Sequence, residues 1–491
     1  MRRRLFLLLP ALLGAGCADY REVPLYGATD LGPPVVLENA DGRNAYGGVA
    51  RLHGGNTCTG VLLDTHGGEG APAYVLTNGH CLGAFGANEL ILDREAPAWT
   101  ATFGYFEDTT GAQETVPVVR VAYATMKGAD IGIAELDSTL GALERSGYLP
   151  WAAADVPASP SEPVVVVGAP LQSGGVGDFL RLATCSISGV APIVLERQWY
   201  WYEPARLGCK GIAPGSSGSP VISRVSGRMV GVLNTTTQNS EGLADCGLNR
   251  PCEAEGHGGT SQPDMSYAVP LTGLGLCFDD DGQLDLERPA CPLDDGRQAA
   301  PQPGWLGAVN PDLANPALGK PQPTWDVQVT GPFDVYRYKI GPAGSVDCRS
   351  ESGYSGTRPS ATKVGDALPA EEGRYALCLL GGDPGDPARQ DVLHPSVATV
   401  EIDKTPPDHA AAYTLEHRKD SYFLTWQFDA DVVGAFFKYG APDTTSCADS
   451  NGYRGAFIPF FPFEGTPPFR LCVIGFDAAL NMSAPADTLL P

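Results

Sequence analysis

Beyond its first residues the sequence has no apolar run approaching the roughly 20 residues that a membrane-spanning helix needs, so no later segment reads as transmembrane. Positive charge is also scarce. Lys and Arg total 33 against 57 Asp and Glu, a formal charge of −24, which argues against nucleic acid or an anionic lipid surface as the partner. There is no CxxC pair and no Cys/His cluster of zinc spacing, so neither a metal nor another cofactor is expected. Long amphipathic helical patterns are few. Short β-branched and aromatic runs recur instead between turn signals supplied by 61 Gly and 43 Pro, and this predicts a mostly β protein. At about 100–200 residues per domain, the 491 residues leave room for several domains.

What is present begins with an export signal over residues 1–17. Arg2-Arg3-Arg4 precede an apolar run from Leu5 to Leu13 and then Gly14-Ala15-Gly16-Cys17, a charged region, a short hydrophobic region and a small-residue cleavage site. Cys17 resembles the lipidated cysteine of bacterial lipoproteins, although Gly14 stands where that family usually has Leu. Ordinary signal cleavage is the alternative. The expected location is therefore a bacterial cell envelope or the exterior, with membrane contact only through a lipid anchor at Cys17.

Setting Cys17 aside, the remaining cysteines fall into neighbouring couples: Cys58/Cys81, Cys185/Cys209, Cys246/Cys252, Cys277/Cys291, Cys348/Cys378 and Cys447/Cys472. An even set of this kind predicts disulfides in an oxidising compartment, and sequential pairing is the economical arrangement.

Residues 18–45 are rich in Pro, Gly and Asp and read as a tether. Strands are expected at 49–52, 59–63, 74–77, 89–92, 116–122 and 131–136, then at 164–167, 180–188, 198–202, 220–222, 229–233 and 265–269. Two six-stranded barrels account for both sets. Residues 296–325 carry six prolines among Gly, Asn and Ala and read as a linker. Beyond it, Lys339-Ile340-Gly341, Cys348, Gly353-Tyr354 and Gly356 match Lys438-Tyr439-Gly440, Cys447, Gly452-Tyr453 and Gly455 at the same offsets. These two copies, residues 326–404 and 405–491, resemble immunoglobulin-like or fibronectin-type β-sandwiches. The fold class is thus all-β: two barrels followed by two small sandwiches.

The chemistry centres on Gly215-Ser216-Ser217-Gly218-Ser219-Pro220. Glycines flanking a serine pair let successive N–H groups converge on one point, beside a serine hydroxyl. A hydroxyl needs a base within hydrogen-bond reach. His80 is the candidate, at the end of the predicted strand 74–77 and next to Cys81. Cys58-Thr59-Gly60-Val61-Leu62-Leu63, Val75-Leu76-Thr77-Asn78-Gly79-His80-Cys81 and Gly215-Ser216-Ser217-Gly218-Ser219-Pro220, in that order, resemble the chymotrypsin-like (trypsin-like) serine endopeptidases. Asp130-Ile131-Gly132-Ile133-Ala134 resembles that family's third motif. The resemblance covers about residues 46–277, inside a protease domain read as 46–295.

The resemblance implies that Ser217 is the nucleophile, His80 the general base and then acid, and Asp130 the carboxylate that orients His80. It assigns the oxyanion N–H groups to Gly215 and Ser217, and substrate-backbone pairing to Asn234, Thr235 and Thr236. Two departures stand out. Ser216 occupies the place where animal relatives carry the Asp that pairs with a newly cleaved N-terminus, so no such activation is expected. Gly211 occupies the position of the Asp that selects Lys or Arg, so tryptic specificity is not implied; Lys210 beside it reads as a solvated loop residue. Asp279 to Asp285 form a partial calcium-loop pattern that lacks the terminal bidentate Glu, and read as an acidic turn. The expected function is an exported serine endopeptidase acting on proteins or peptides. The alternative is a catalytically silent, protease-like surface protein that binds through its C-terminal repeats.

Overall fold

The computed structural model describes residues 34–42, 44–171, 179–314, 320–386, 390–418, 421–456, 460–464 and 467–490. The expected export signal and Cys17 lie outside the described residues.

Two barrels carry the first half of the chain. Val49–His53, Thr57–Leu62, Pro72–Thr77, Leu90–Phe103, Glu114–Thr125 and Ile131–Thr139 close one of them, each strand antiparallel to its neighbours. Pro163–Gly168, Arg181–Val190, Ala205–Leu207, Pro220–Ser223, Met229–Thr236 and Ser266–Pro270 close the other. In each barrel the strands meet in the same circular order, first, second, third, sixth, fifth, fourth, and the fourth returns to the first. Closure removes the open edges that would otherwise template aggregation.

The apolar runs are continuous because both faces of these strands are covered. Ala50, Leu52, Leu62 and Val75 fill the first barrel, while their neighbours Val49, Val61, Tyr74 and Leu76 turn outward to meet Val165, Val167, Met229 and Val232 of the second. Val164, Val166, Val221 and Val230 fill that second barrel. Period-two alternation thus sorts one run of valines between a barrel interior and the layer joining the barrels.

The strand expected at 198–202 forms, but not in the barrel. Trp199–Tyr202 pairs with Ile193–Glu196, which pairs with Cys252–Glu255 and then Gly258–Thr260, making a separate four-stranded platform. The barrel strand is the three-residue Ala205–Leu207, too short to show a period in sequence. Two stretches read as tether and linker also carry strands. Val35–Val36 adds to Arg181–Val190, and Trp305–Val309 runs parallel to Ser396–Ile402 in a five-stranded sheet with Gly373–Gly382, Val335–Pro342 and Arg358–Pro359. Leu306 and Val309 pack against the core of that sheet and dock a segment otherwise rich in proline.

The last part of the chain forms a three-stranded and a four-stranded sheet around Leu424, Trp426, Phe437 and Leu471. The fixed offsets around Cys348 and Cys447 have a physical cause. Lys339 Nζ donates to the carbonyls of Ser350 (2.7 Å) and Ser352 (3.0 Å), 4.4 Å over the Tyr354 ring, whose hydroxyl donates to Cys348 O at 2.8 Å. Lys438 makes the same contacts with Asp449 O, Asn451 O and Tyr453, and Tyr453 donates to Cys447 O at 2.9 Å. Each lysine neutralises the carbonyls of a turn that a disulfide closes.

The six sequential cysteine couples are all bonded as expected: Cys58–Cys81, Cys185–Cys209, Cys246–Cys252, Cys277–Cys291, Cys348–Cys378 and Cys447–Cys472. Their surroundings differ. Cys291 is only half-buried, packed against the layer that joins the barrels, whereas its partner Cys277 lies fully inside that layer. Cys472 is fully buried on the strand Phe469–Phe476, opposite Lys438 in register, just as Cys378 lies opposite Lys339. Both segments therefore anchor their disulfide to the strand facing the turn-capping lysine. Such a set of bridges points to an oxidising, extracytoplasmic environment.

The platform is gripped on its outer face by the five-stranded sheet. Leu195, Tyr200, Tyr202 and Cys252 share one buried cluster with Ala343, Cys348, Ala376, Cys378 and Val397. Around it, Tyr200 Oη donates to Ala343 O (2.8 Å), Asn88 exchanges two hydrogen bonds with Val397, and Gly344 N donates to Gly256 O. Tyr200→Ala is expected to cost about 3–5 kcal/mol through the emptied ring volume, and Tyr200→Phe about 1 kcal/mol for the lost hydrogen bond, both measured as shifts in urea unfolding.

Candidate active site

His80 begins a short 3-10 turn, His80–Leu82, directly after the strand Pro72–Thr77. The Cys58–Cys81 bridge ties that turn to the neighbouring strand, so the imidazole has a rigid base. Asp130 lies just before Ile131–Thr139 and is fully buried. Its two carboxylate oxygens take both N–H groups of His80: Oδ2 accepts from Nδ1 at 2.6 Å and Oδ1 from the backbone amide at 3.1 Å. Asn78 Nδ2 holds the Asp130 carbonyl at 2.8 Å. Burial alone would lower the His80 pKa, but the charge and hydrogen bond of Asp130, joined by the charge of Glu196, raise it above the ordinary value. The Nδ1–Asp130 bond leaves Nε2 as the imidazole nitrogen for chemistry.

Ser217 lies where the two barrels meet. Its carbonyl accepts from Thr59 N at 2.8 Å, and the next amide, Gly218 N, donates to Leu233 O at 2.9 Å. Its hydroxyl donates at 3.5 Å to Asn234 O, and no bond to His80 is formed among the described residues. His80 Nε2 lies 3.6 Å from the Cys81 sulfur. Nucleophile and base often tighten only when substrate arrives. The structure therefore joins His80 to Asp130 and seats Ser217 separately, its hydroxyl against Asn234 O of the strand Met229–Thr236.

The loop amides are informative. Gly211 and Ile212 donate to Gln238 Oε1, Ala213 to Ser216 Oγ, Ser216 to Ala213 O, Gly218 to Leu233 O and Ser219 to Ser216 O. Among the described residues, Gly215 and Ser217 are the two of that loop whose N–H groups have no acceptor. Gly215 has φ +90°, a left-handed conformation that turns its amide out of the loop's internal bonding. Ser216 is buried and closes this turn through its own backbone and hydroxyl.

Around the expected substrate side, Gly211 is exposed, and its amide is capped by Gln238, whose Nε2 reaches Cys209 O (2.7 Å) and Ser266 Oγ (3.3 Å). Thr236 Oγ1 shares a hydrogen bond with Ser266 Oγ at 2.8 Å. Lys210 is paired with Asp264 at 3.0 Å. Apart from the exposed Lys210–Asp264 pair, the groups named around Gly211 are neutral amides and hydroxyls. Gln238 carried no sequence signal; only the folded loop brings it to Gly211. Glu196 was also missed. It is buried on the platform, where Thr235 Oγ1 donates to Oε2 at 2.7 Å and Asn249 N to Oε1 at 2.8 Å.

Cys58, His80 and Cys81 are close enough to suggest a metal cluster, but both sulfurs are consumed by their disulfide and offer no thiolate. Asp279 spends Oδ1 on the amides of Asp281 and Gln283, as in an ordinary acidic turn.

Residues 58–232 match the trypsin-like peptidase domain. That span holds His80, Asp130 and Ser217, and together with the double barrel it identifies a protease fold. Among solved structures the chain is similar to a thermostable serine protease, AL20, from an extremophilic microorganism (12% identity, 46% of this chain and 92% of that one, TM-score 0.32). It is also similar to human heparin binding protein (13%, 48% and 90%, 0.30) and to neuropsin, a serine protease of mouse brain (13%, 46% and 89%, 0.27). No curated protein matches the sequence.

Gly218 provides a stability test of the trypsin-like loop. It has φ +85°, and an added Cβ would collide with Thr59 O and Thr77 Oγ1. Gly218→Ala is expected to destabilise by at least about 2 kcal/mol from strain and overpacking. Gly227→Ala, also at positive φ but in open space, is expected to cost about 1 kcal/mol. Paired thermal unfolding curves check the difference.

Proposed function

We propose that the protein is an exported serine endopeptidase that cleaves peptide bonds through an acyl-enzyme on Ser217. The observation that carries this reading is the buried carboxylate of Asp130 holding both N–H groups of His80. Ser217 Oγ attacks the scissile carbonyl carbon while His80 Nε2 takes its proton. The N–H groups of Gly215 and Ser217 receive the oxyanion. On collapse the C–N bond breaks, and the amine leaves with the proton from His80. Water then repeats the sequence against the ester, restoring Ser217. Asp130 stays ionised throughout and fixes the His80 tautomer.

The substrate strand adds to Asn234, Thr235 and Thr236 by β-pairing. The neutral groups around Gly211 favour an uncharged side chain over Lys or Arg at the cleaved position. Secretion, with or without a lipid at Cys17, accords with the disulfides. The alternative is a silent binding protein that would act through its C-terminal repeats; the His80–Asp130 hydrogen bonds support the peptidase reading over it.

Hydrolysis of a fluorescent casein or peptide library tests the reading. The wild type is expected to cut and Ser217→Ala to be inert, whereas Asp130→Asn should lose about 10⁴ in kcat by analogy with other triads. Because His80 acts as a base and its pKa is raised, activity should fall as pH drops through a midpoint above about 6.5, the value of a free imidazole. A wild type that folds yet cuts nothing would contradict the proposal.

A further inference from the structure

We propose that Glu196 is a positioning residue for this site, holding the strand beside Ser217 through Thr235. The inference rests on the peptidase reading above.

The geometry is a continuous path. Ser217 Oγ donates to Asn234 O (3.5 Å), and the next residue, Thr235, donates its hydroxyl to Glu196 Oε2 at 2.7 Å. Glu196 Oε1 takes Asn249 N at 2.8 Å, from the loop closed by Cys246–Cys252. The following residue, Arg197, donates its amide to Cys246 O (2.7 Å). Arg374, buried on the five-stranded sheet, then donates Nη1 to Arg197 O (3.3 Å) and Cys246 O (3.2 Å), and its Nη2 bonds Glu401 at 3.0 Å. The C-terminal sheet therefore clamps the platform at the residue next to Glu196. That platform in turn fixes the strand on which a substrate would pair.

Among the described residues the donors to this carboxylate are neutral, the Thr235 hydroxyl and the Asn249 amide. A buried acid left without a cationic partner is costly, and burial raises the Glu196 pKa. The charged groups acting across this space are Asp130, from the start of its strand, Glu196, from the platform, and His80, from its 3-10 turn; Asp130 and Glu196 both raise His80, and His80 lowers Glu196. A residue that served only to fill space would leave the titration of His80 unchanged when its charge was removed.

Two variants separate the charge from the bond. Glu196→Gln keeps the size and an acceptor for Thr235; Thr235→Val removes the hydrogen bond and keeps the carboxylate. In pH profiles of kcat/KM on a chromogenic peptide, Glu196→Gln is expected to move the acid limb to lower pH. Thr235→Val is expected to leave the acid limb in place and raise KM about tenfold, the equivalent of one hydrogen bond to a charged group. The His80 imidazole is also titrated by NMR in the full chain. This readout does not require turnover, so it tests Glu196 even if the peptidase reading fails. A His80 pKa equal in wild type and Glu196→Gln, with KM unchanged in Thr235→Val and melting temperatures preserved, would overturn the proposal.

Discussion

Thr59 is the stitch on which the divided site depends. It belongs to the first barrel, is fully buried, and uses every polar group it has. Its amide donates to Ser217 O, its carbonyl accepts from Thr77 Oγ1, and its hydroxyl donates to Gly215 O while accepting from Ala169 N. Two of these bonds grip the serine loop and a third holds the strand that leads to His80. His80 and Ser217 come from different barrels, so their spacing depends on how firmly the barrels register at this residue. Gly218, which passes against Thr59 O and Thr77 Oγ1, is the close approach that makes the register possible.

Around that stitch the protein places buried charge sparingly. Asp130 is fully buried, yet both of its oxygens receive N–H donors, which offsets the cost of desolvating it. The buried pair Lys127–Asp294, at 2.6 Å, follows the same rule: burial alone would raise the Asp294 carboxyl, but the lysine charge keeps it low. Glu196 likewise has a donor on each oxygen, the Thr235 hydroxyl and the Asn249 amide, and it stands between the platform and the strand Met229–Thr236.

Much of this was legible in sequence because it is local. Cysteines paired with their nearest partners, as short loops dictate, from Cys58–Cys81 beside the site to Cys277–Cys291 and Cys447–Cys472 further along. Most barrel strands were apolar runs bounded by turn residues. The motifs around His80, Asp130 and Ser217 carried their identities in adjacent residues. What escaped depends on contacts between distant segments. Thr59 is an unremarked position between Cys58 and Gly60, and only barrel packing reveals its role. Glu196 stands just before the aromatic stretch Trp199 to Tyr202, with nothing nearby to indicate that Thr235 would reach it. Trp199–Tyr202 looked like a barrel strand because its pattern was that of a strand, and pattern does not say which sheet it joins. The grip of the C-terminal sheet on the platform arises from residues such as Tyr200 and Val397, whose partners lie far along the chain.

In the proposed mechanism the loop from Gly215 to Pro220 presents a nucleophile beside two amides that have no acceptor among the described residues. A crystal structure of the protein after reaction with a fluorophosphonate is the decisive measurement. A phosphorus–oxygen bond to Ser217 is expected, with the phosphonyl oxygen accepting from the Gly215 and Ser217 amides at about 2.7–3.1 Å, the range of a productive oxyanion hole. A folded wild-type protein that forms no adduct, or whose adduct oxygen points away from those amides, would contradict it.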